Sequence, residues 1–163
     1  MAGESSFDVV SDFDVQELRN ALDQVRREVA QRYDFKGVQV DLDQGRDELT
    51  LVTSDEYRAE AVKDLIESKA VRRDLSLKIF DWGKVEPVGG NRVRQRIGLR
   101  RGLSEENAKK ITKIIRDEFP KCHGQIQGDA VRVSSKNKDD LQRVIARLRE
   151  LDLAVPLQFE NYR

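Results

Sequence analysis

The chain has 163 residues, 30 of them basic and 30 acidic, for a formal net charge of zero, with 38% apolar residues. A balanced charge excludes a globally basic surface that attracts polyanions everywhere, so any phosphate site must be local. No apolar run approaches the ~18 residues of a membrane span, and one cysteine with one histidine can build neither an internal disulfide nor a four-ligand zinc site from side chains of the usual kind. Neither a cofactor nor a metal is expected. Residues Met1 to Asp12 lack the basic start and apolar centre of a secretory signal, so a cytoplasmic location is expected.

Phe7, Val9 and Phe13 alternate with Asp8 and Asp12, a period-two pattern that predicts a strand. Asp14 can cap a following helix, with Glu17 as its reciprocal partner, and Val15, Leu18, Leu22, Val25 and Val29 recur at helical spacing. Val38, Val40 and Leu42, a polar turn at Gly45, then Leu49, Leu51 and Thr53 predict a hairpin. Ser54 or Asp55 opens a second helix with the stripe Tyr57, Ala61, Val62, Leu65 and Ile66. Leu75, Leu77 and Ile79 alternate as a further strand.

Pro87 with Gly89 and Gly90 breaks regular structure between Trp82 and Asn91, which marks residues 84–91 as a linker between halves 1–83 and 92–163. The pattern then repeats. Val93, Ile97 and Leu99 predict a strand, Ser104 caps a helix carrying Ala108, Ile111, Ile115 and Phe119, and Pro120 closes it. Cys122 to Gln127 and Ala130 to Ser134 pair across Gly128 and Asp129. A last helix presents Leu141, Val144, Ile145, Leu148 and Leu151, and Val155, Leu157 and Phe159 finish as a strand. Each half reads βαββαβ, with the order of elements shared but no obvious residue identity. The expected class is α+β: two tandem ferredoxin-like domains, each a four-stranded antiparallel sheet with both helices on one face. The other face stays open, and a fold of this kind licenses no function by itself.

Three segments, Ser5 to Gly37 with its RYDFKG ending, Gln125 to Gln142 beginning QIQGDAVRV, and Pro156 to Arg163 (PLQFENYR), closely resemble the YajQ family of small bacterial nucleotide-binding proteins. The likeness runs essentially end to end. It implies a tandem of ferredoxin-like domains that exchange their first strands, so that 14–101 forms one domain and 1–13 with 102–163 the other. It also implies a nucleotide ligand, with cyclic dinucleotides or RNA as candidates, and no agreed set of ligand residues.

The residues themselves supply candidate sites. Arg92, Arg94, Arg96, Arg100 and Arg101 crowd one segment without an acidic residue; alternation sends Val93, Ile97 and Leu99 under the helices and Arg94, Arg96 and Arg100 onto the open face. Guanidinium groups grip phosphate through paired donors, so the row is a candidate phosphate track. The alternative is a solvated strand that discourages edge aggregation or pairs with helix carboxylates. In the second half, Arg132 and Ser134 fall on the open face beside Gln125 and Gln127, whose amides can reach base edges and phosphates. Neither half carries the aromatic-rich motif of RNA recognition domains, which favours phosphate-led binding.

In RYDFKG, Tyr33 and Phe35 are expected to seal a helix against the sheet, while Lys36 can reach phosphate. Trp82 is expected at an interdomain contact. Cys122 and His123 are adjacent, but strand neighbours project to opposite faces, so no catalytic residues are expected. No Walker loop or dinucleotide fingerprint occurs. The reading is therefore a nucleotide-binding regulator; the competing one is an adaptor for a protein partner, suggested by the highly charged helices and zero net charge.

Overall fold

In the computed structural model, which describes residues 3–163, the sequence periodicities become eight strands and four helices. Ser5–Val10 forms β1, and Asp14 then starts α1 (Val15–Gln31) by accepting the amides of Gln16 and Glu17 on its carboxylate at 2.9 and 3.2 Å. The buried stripe of α1 is Leu18, Ala21, Leu22, Val25 and Val29. A 3-10 turn at Tyr33–Phe35 leads to the hairpin β2 (Asp41–Gln44) and β3 (Glu48–Thr53). Asp55 caps α2 (Glu56–Arg72), followed by β4 (Phe80–Val88) and β5 (Arg92–Leu99). Ser104 caps α3 (Glu105–Glu118), then come β6 (His123–Gln127), β7 (Ala130–Ser135), α4 (Lys138–Arg149) behind Asn137, and β8 (Gln158–Glu160).

Among the described residues the strands form two four-stranded antiparallel sheets, ordered β2-β3-β5-β4 and β6-β7-β1-β8. The chain correspondingly divides into two compact units, one of Phe13–Arg100 and one of the chain up to Asp12 with Arg101–Arg163. We call these the central and the terminal unit. In the central unit Leu18, Leu22, Leu49, Leu51, Val62, Ile66 and Ile97 share one core. In the terminal unit Phe7, Val9, Ile111, Ile115, Val131, Val133, Val144 and Leu148 do the same. Each fully buried Leu, Ile or Val stabilises its unit by roughly 1.5–3 kcal/mol.

Four expectations about elements need correction. Leu75 to Ile79 is not a strand: Ser76 accepts the Lys78 amide on its hydroxyl at 3.2 Å and closes a 3-10 turn, so the ladder begins only at Phe80. The expected linker 84–91 lies within the β4–β5 hairpin. Pro87 is tolerated there because β4 is an edge strand, and the left-handed backbone of Gly90 and Asn91 makes the turn. At the irregularity between Trp82 and Val85, Gly83 lies so close to the Arg96 carbonyl that a Cβ would stand 2.5 Å from its oxygen. Val38 and Val40 pack on the core, but β2 pairs only from Asp41 onward. The last helix ends at Arg149, before Leu151.

Candidate functional site

The open face of the central sheet carries the arginine row. Cross-strand register sets Arg94 opposite Val52 and Arg96 opposite Thr50, while Gln95, Ile97 and Leu99 are buried beneath the helices. Acidic neighbours from three strands join them. Arg92 approaches Asp41 at 4.0 Å, Arg94 reaches Glu86 at 3.5 Å, Arg96 Glu48 at 4.0 Å and Arg100 Asp81 at 3.5 Å. The partners sit on β2, β3 and β4, not on helices as the solvated-strand alternative had it. These are long contacts between side chains each at least a third exposed, a class worth about 0–1 kcal/mol apiece. Arg100 is held further by donating to the carbonyls of Lys78 and Phe80 at 3.2 and 3.3 Å. Arg94 makes one contact through Nη2, and its Nε is shielded with no hydrogen-bond partner among the described residues. Arg101 lies in the terminal unit and pairs with Asp12 at 3.2 Å.

The open face of the terminal sheet gathers Arg132, Ser134, Gln125 and Gln127, with Gln125 directly opposite Arg132. It also holds Asp8, which β1 places opposite Arg132 from 124 residues away. Arg132 donates Nε to Asp8 Oδ1 at 2.9 Å and Nη2 to Oδ2 at 3.5 Å, and the Asn161 amide donates to Oδ2 at 2.9 Å. Asp8 is only 8% exposed. The Arg132 bond, helped by Asn161, holds the Asp8 carboxyl below its ordinary range despite burial, and Asp8 in turn raises Arg132. Arg132 is thus committed to a buried acid. A groove of about 600 Å³ runs beside β6, lined by Thr112, Arg116, Pro120, His123, Gln125 and Ile126 among others.

Lys36 stands at a third place, a corner of the central unit. There Phe35 is buried at 4% exposure, as expected, but Tyr33 is 88% exposed and seals nothing. Tyr57, expected on the buried stripe of α2, is 65% exposed; the stripe is Ala59, Val62, Leu65, Ile66 and Ala70. Trp82 packs inside its own unit, 5.7 Å from the Phe80 ring and 5.2 Å from the Lys63 ammonium. No Phe, Tyr or Trp projects from the paired residues of either open sheet face.

Cys122 lies just before β6 rather than in it and is buried, whereas His123, the first residue of the strand, is exposed; burial pushes the thiol pKa up, away from thiolate chemistry. Among the described residues no cluster of three or more His, Cys, Asp or Glu could hold a metal ion, and no helix is long and apolar enough to cross a membrane.

Comparison with known proteins yields one family, described as nucleotide-binding protein YajQ-like, matching residues 5–163. Relatives named nucleotide-binding protein come from Trichodesmium erythraeum and Synechococcus elongatus, each 57% identical over 163 residues with both chains fully covered. Another, from Roseiflexus castenholzii, is 53% identical over 165 residues, again covering both chains completely.

Proposed function

The chain belongs to the YajQ-like family of nucleotide-binding proteins, and on that footing we propose that it binds a nucleotide by its phosphate on the open face of the central sheet. Arg94 and Arg96 are the principal ligands and Arg100 a fixed positive charge beside them. The observation that carries this is the contrast in how the arginines are held. Arg94 and Arg96 make only the long surface contacts described above, which a phosphate oxygen can replace with charge-assisted bonds at ordinary distance. Arg132 would have to abandon a buried carboxylate to do the same. Candidate ligands are a cyclic dinucleotide or RNA, and the role is regulatory. The same reading treats β1 in the sheet of β6, β7 and β8, and β5 in that of β2, β3 and β4, as first strands exchanged between two βαββαβ halves.

The test is a calorimetric titration with GMP and with a short RNA oligonucleotide at low and raised salt. Phosphate contacts release counterions, so affinity should fall as salt rises, and Arg94→Ala with Arg96→Ala should both weaken binding and flatten that slope. Normal binding by the double variant, together with loss on Arg132→Ala, would move the site to the terminal sheet.

A further inference from the structure

The arginine row supplies phosphate chemistry but no surface for a base, because no aromatic ring projects from the paired residues of either open face. The exposed rings of the central unit lie elsewhere. Tyr33 projects from the 3-10 turn after α1 and Tyr57 from the first turn of α2, 88% and 65% exposed. Exposed tyrosine forgoes the burial energy that places most large rings inside, so packing explains neither. By contrast Tyr162, also exposed, lies 6.1 Å from the Phe7 ring. Among the described residues no ring or cation stacks on Tyr33.

A rigid frame brings these two turns together. Arg58 donates Nε to the Asp34 carbonyl at 3.2 Å, joining segments 24 residues apart, and its Nη1 lies 2.9 Å from Asp55. Asp55 is also the α2 cap, accepting the Arg58 amide at 2.8 Å. Arg32 is clamped by both oxygens of Asp34, at 3.0 and 2.8 Å. The Arg58 guanidinium carbon stands 5.4 Å from the Tyr57 ring centre. The Arg32 guanidinium carbon lies 5.6 Å from the centre of the buried Phe35 ring, and the bond to Asp34 raises the Arg32 pKa. The Arg58 guanidinium therefore flanks the exposed Tyr57 ring, and the clamped Arg32 is the chain neighbour of Tyr33, with the exposed Lys36 next in the turn. Stacking platforms beside cations are the usual equipment for holding a nucleobase without reading its sequence.

Topology puts this corner at the end of the sheet where Arg92 and Arg94 lie. Residues 36–40 run from the 3-10 turn into β2, whose first residue, Asp41, faces Arg92. The last residue of β3, Thr53, pairs with Val93 and donates its hydroxyl to the Gln39 carbonyl, two residues before the Asp55 cap. Three residues of extended chain, about 10 Å, separate Val52, the partner of Arg94, from Asp55.

We propose that Tyr33 and Tyr57, framed by Arg32, Arg58 and Lys36, form a base-stacking subsite for the nucleotide whose phosphate reaches the Arg94 end of the row. This rests on the phosphate reading above and adds the part of the ligand that reading leaves unheld. The ligand class is a nucleoside phosphate, with purines favoured by their larger stacking area.

The experiment compares GMP and UMP with ribose 5-phosphate, which keeps the phosphate and lacks the base, by calorimetry on the full chain. Wild type should bind GMP best, UMP less well and ribose 5-phosphate weakest. Tyr33→Ala with Tyr57→Ala should lower GMP affinity by roughly five- to hundred-fold per effective ring, bringing it to the ribose 5-phosphate level. Ribose 5-phosphate binding itself should stay unchanged, and the Phe replacements should retain the base preference. Circular dichroism on the same variants confirms that loss of an exposed ring leaves the fold intact. A double alanine variant that still prefers GMP would overturn the subsite while leaving the phosphate reading standing, as would a wild type that shows no preference for the base. A wild type that binds none of the three probes overturns the subsite, and one that also fails to bind the RNA oligonucleotide overturns the phosphate reading.

Discussion

Arg132 and the Arg94–Arg96 pair all project from open antiparallel sheet faces, and they are held in opposite ways. Arg132 meets a carboxylate that the fold has buried, with a second donor from Asn161 completing its hydrogen bonds. Arg94 and Arg96 meet carboxylates on neighbouring strands at 3.5 and 4.0 Å, and those carboxylates are at least half exposed. Breaking a buried pair by removing one partner strands a charge away from water, whereas a surface pair trades its partner for water at little cost. The same residue type on the same kind of surface is therefore structural in one unit and available in the other. Burial of the acid decides which.

Each of these faces rests on a packed core. Ile97 is fully buried directly between the backbone positions of Arg96 and Gly98. Ile97→Ala should destabilise the protein by ~2–5 kcal/mol through the cavity it leaves, measured by urea denaturation. A cost below about 1 kcal/mol would mean that the arginine row lacks the rigid backing we assign to it.

Next in size is the acid under Arg132. Asp8 has a depressed folded-state pKa, so its contribution is fully present above the ordinary carboxylate value and is lost as pH falls through the folded one. Asp8→Asn should cost ~1.5–3 kcal/mol near neutrality, the range for a hydrogen bond to a charged group. The gap from wild type should close as pH drops below about 4. A gap independent of pH would show that the carboxylate charge is not what holds Arg132.

How far the sequence anticipates this contrast follows from the reach of each signal. Alternation over Arg92 to Leu99 is local, so it separates Val93, Ile97 and Leu99 from the arginines correctly. Capping by Asp14 and Ser104 is local too. The acids are another matter. Glu86, Glu48 and Asp81 meet the arginines through the registers of β4 and β3, and Asp8 meets Arg132 through a pairing between chain segments 124 residues apart. Nothing near those residues encodes the pairing. Tyr57 misleads for a different reason: an aromatic in the first turn looks apolar on a helical wheel, yet the stripe begins at Ala59, and the ring stays in water beside Arg58. Ser76 is a local signal of the same kind as the caps, a small polar residue before Leu77 that caps a turn and interrupts an alternating run.

A smaller effect is expected from the arginines themselves, and here the two faces should diverge. Arg94→Ala with Arg96→Ala should change stability by only about ±0.5 kcal/mol, as exposed charges away from the core do, while weakening nucleotide binding. Arg132→Ala should lower the melting temperature more than the double variant does, because it leaves Asp8 buried with Asn161 alone, and should leave binding almost untouched. Thermal melts and GMP titrations on the same three samples would check both orderings. If the double variant melts lower than Arg132→Ala, the division into structural and available arginines is wrong.

The smallest effect should come from His123, the only imidazole in the chain. It sits on the edge strand β6, opposite Ser134 and on the same face as Gln125, with its side chain in solvent. Its sequence neighbour Cys122, just before β6, is buried in the terminal core, where burial raises its thiol pKa. With no buried surface to lose, His123→Ala should alter stability by less than about 0.5 kcal/mol. If the ligand sits on the central unit, as proposed, His123→Ala should also leave GMP affinity and its salt dependence unchanged. A clear loss of affinity in a variant that melts normally would draw the ligand onto the terminal sheet, beside Gln125 and Arg132, and would undo the comparison from its quieter side.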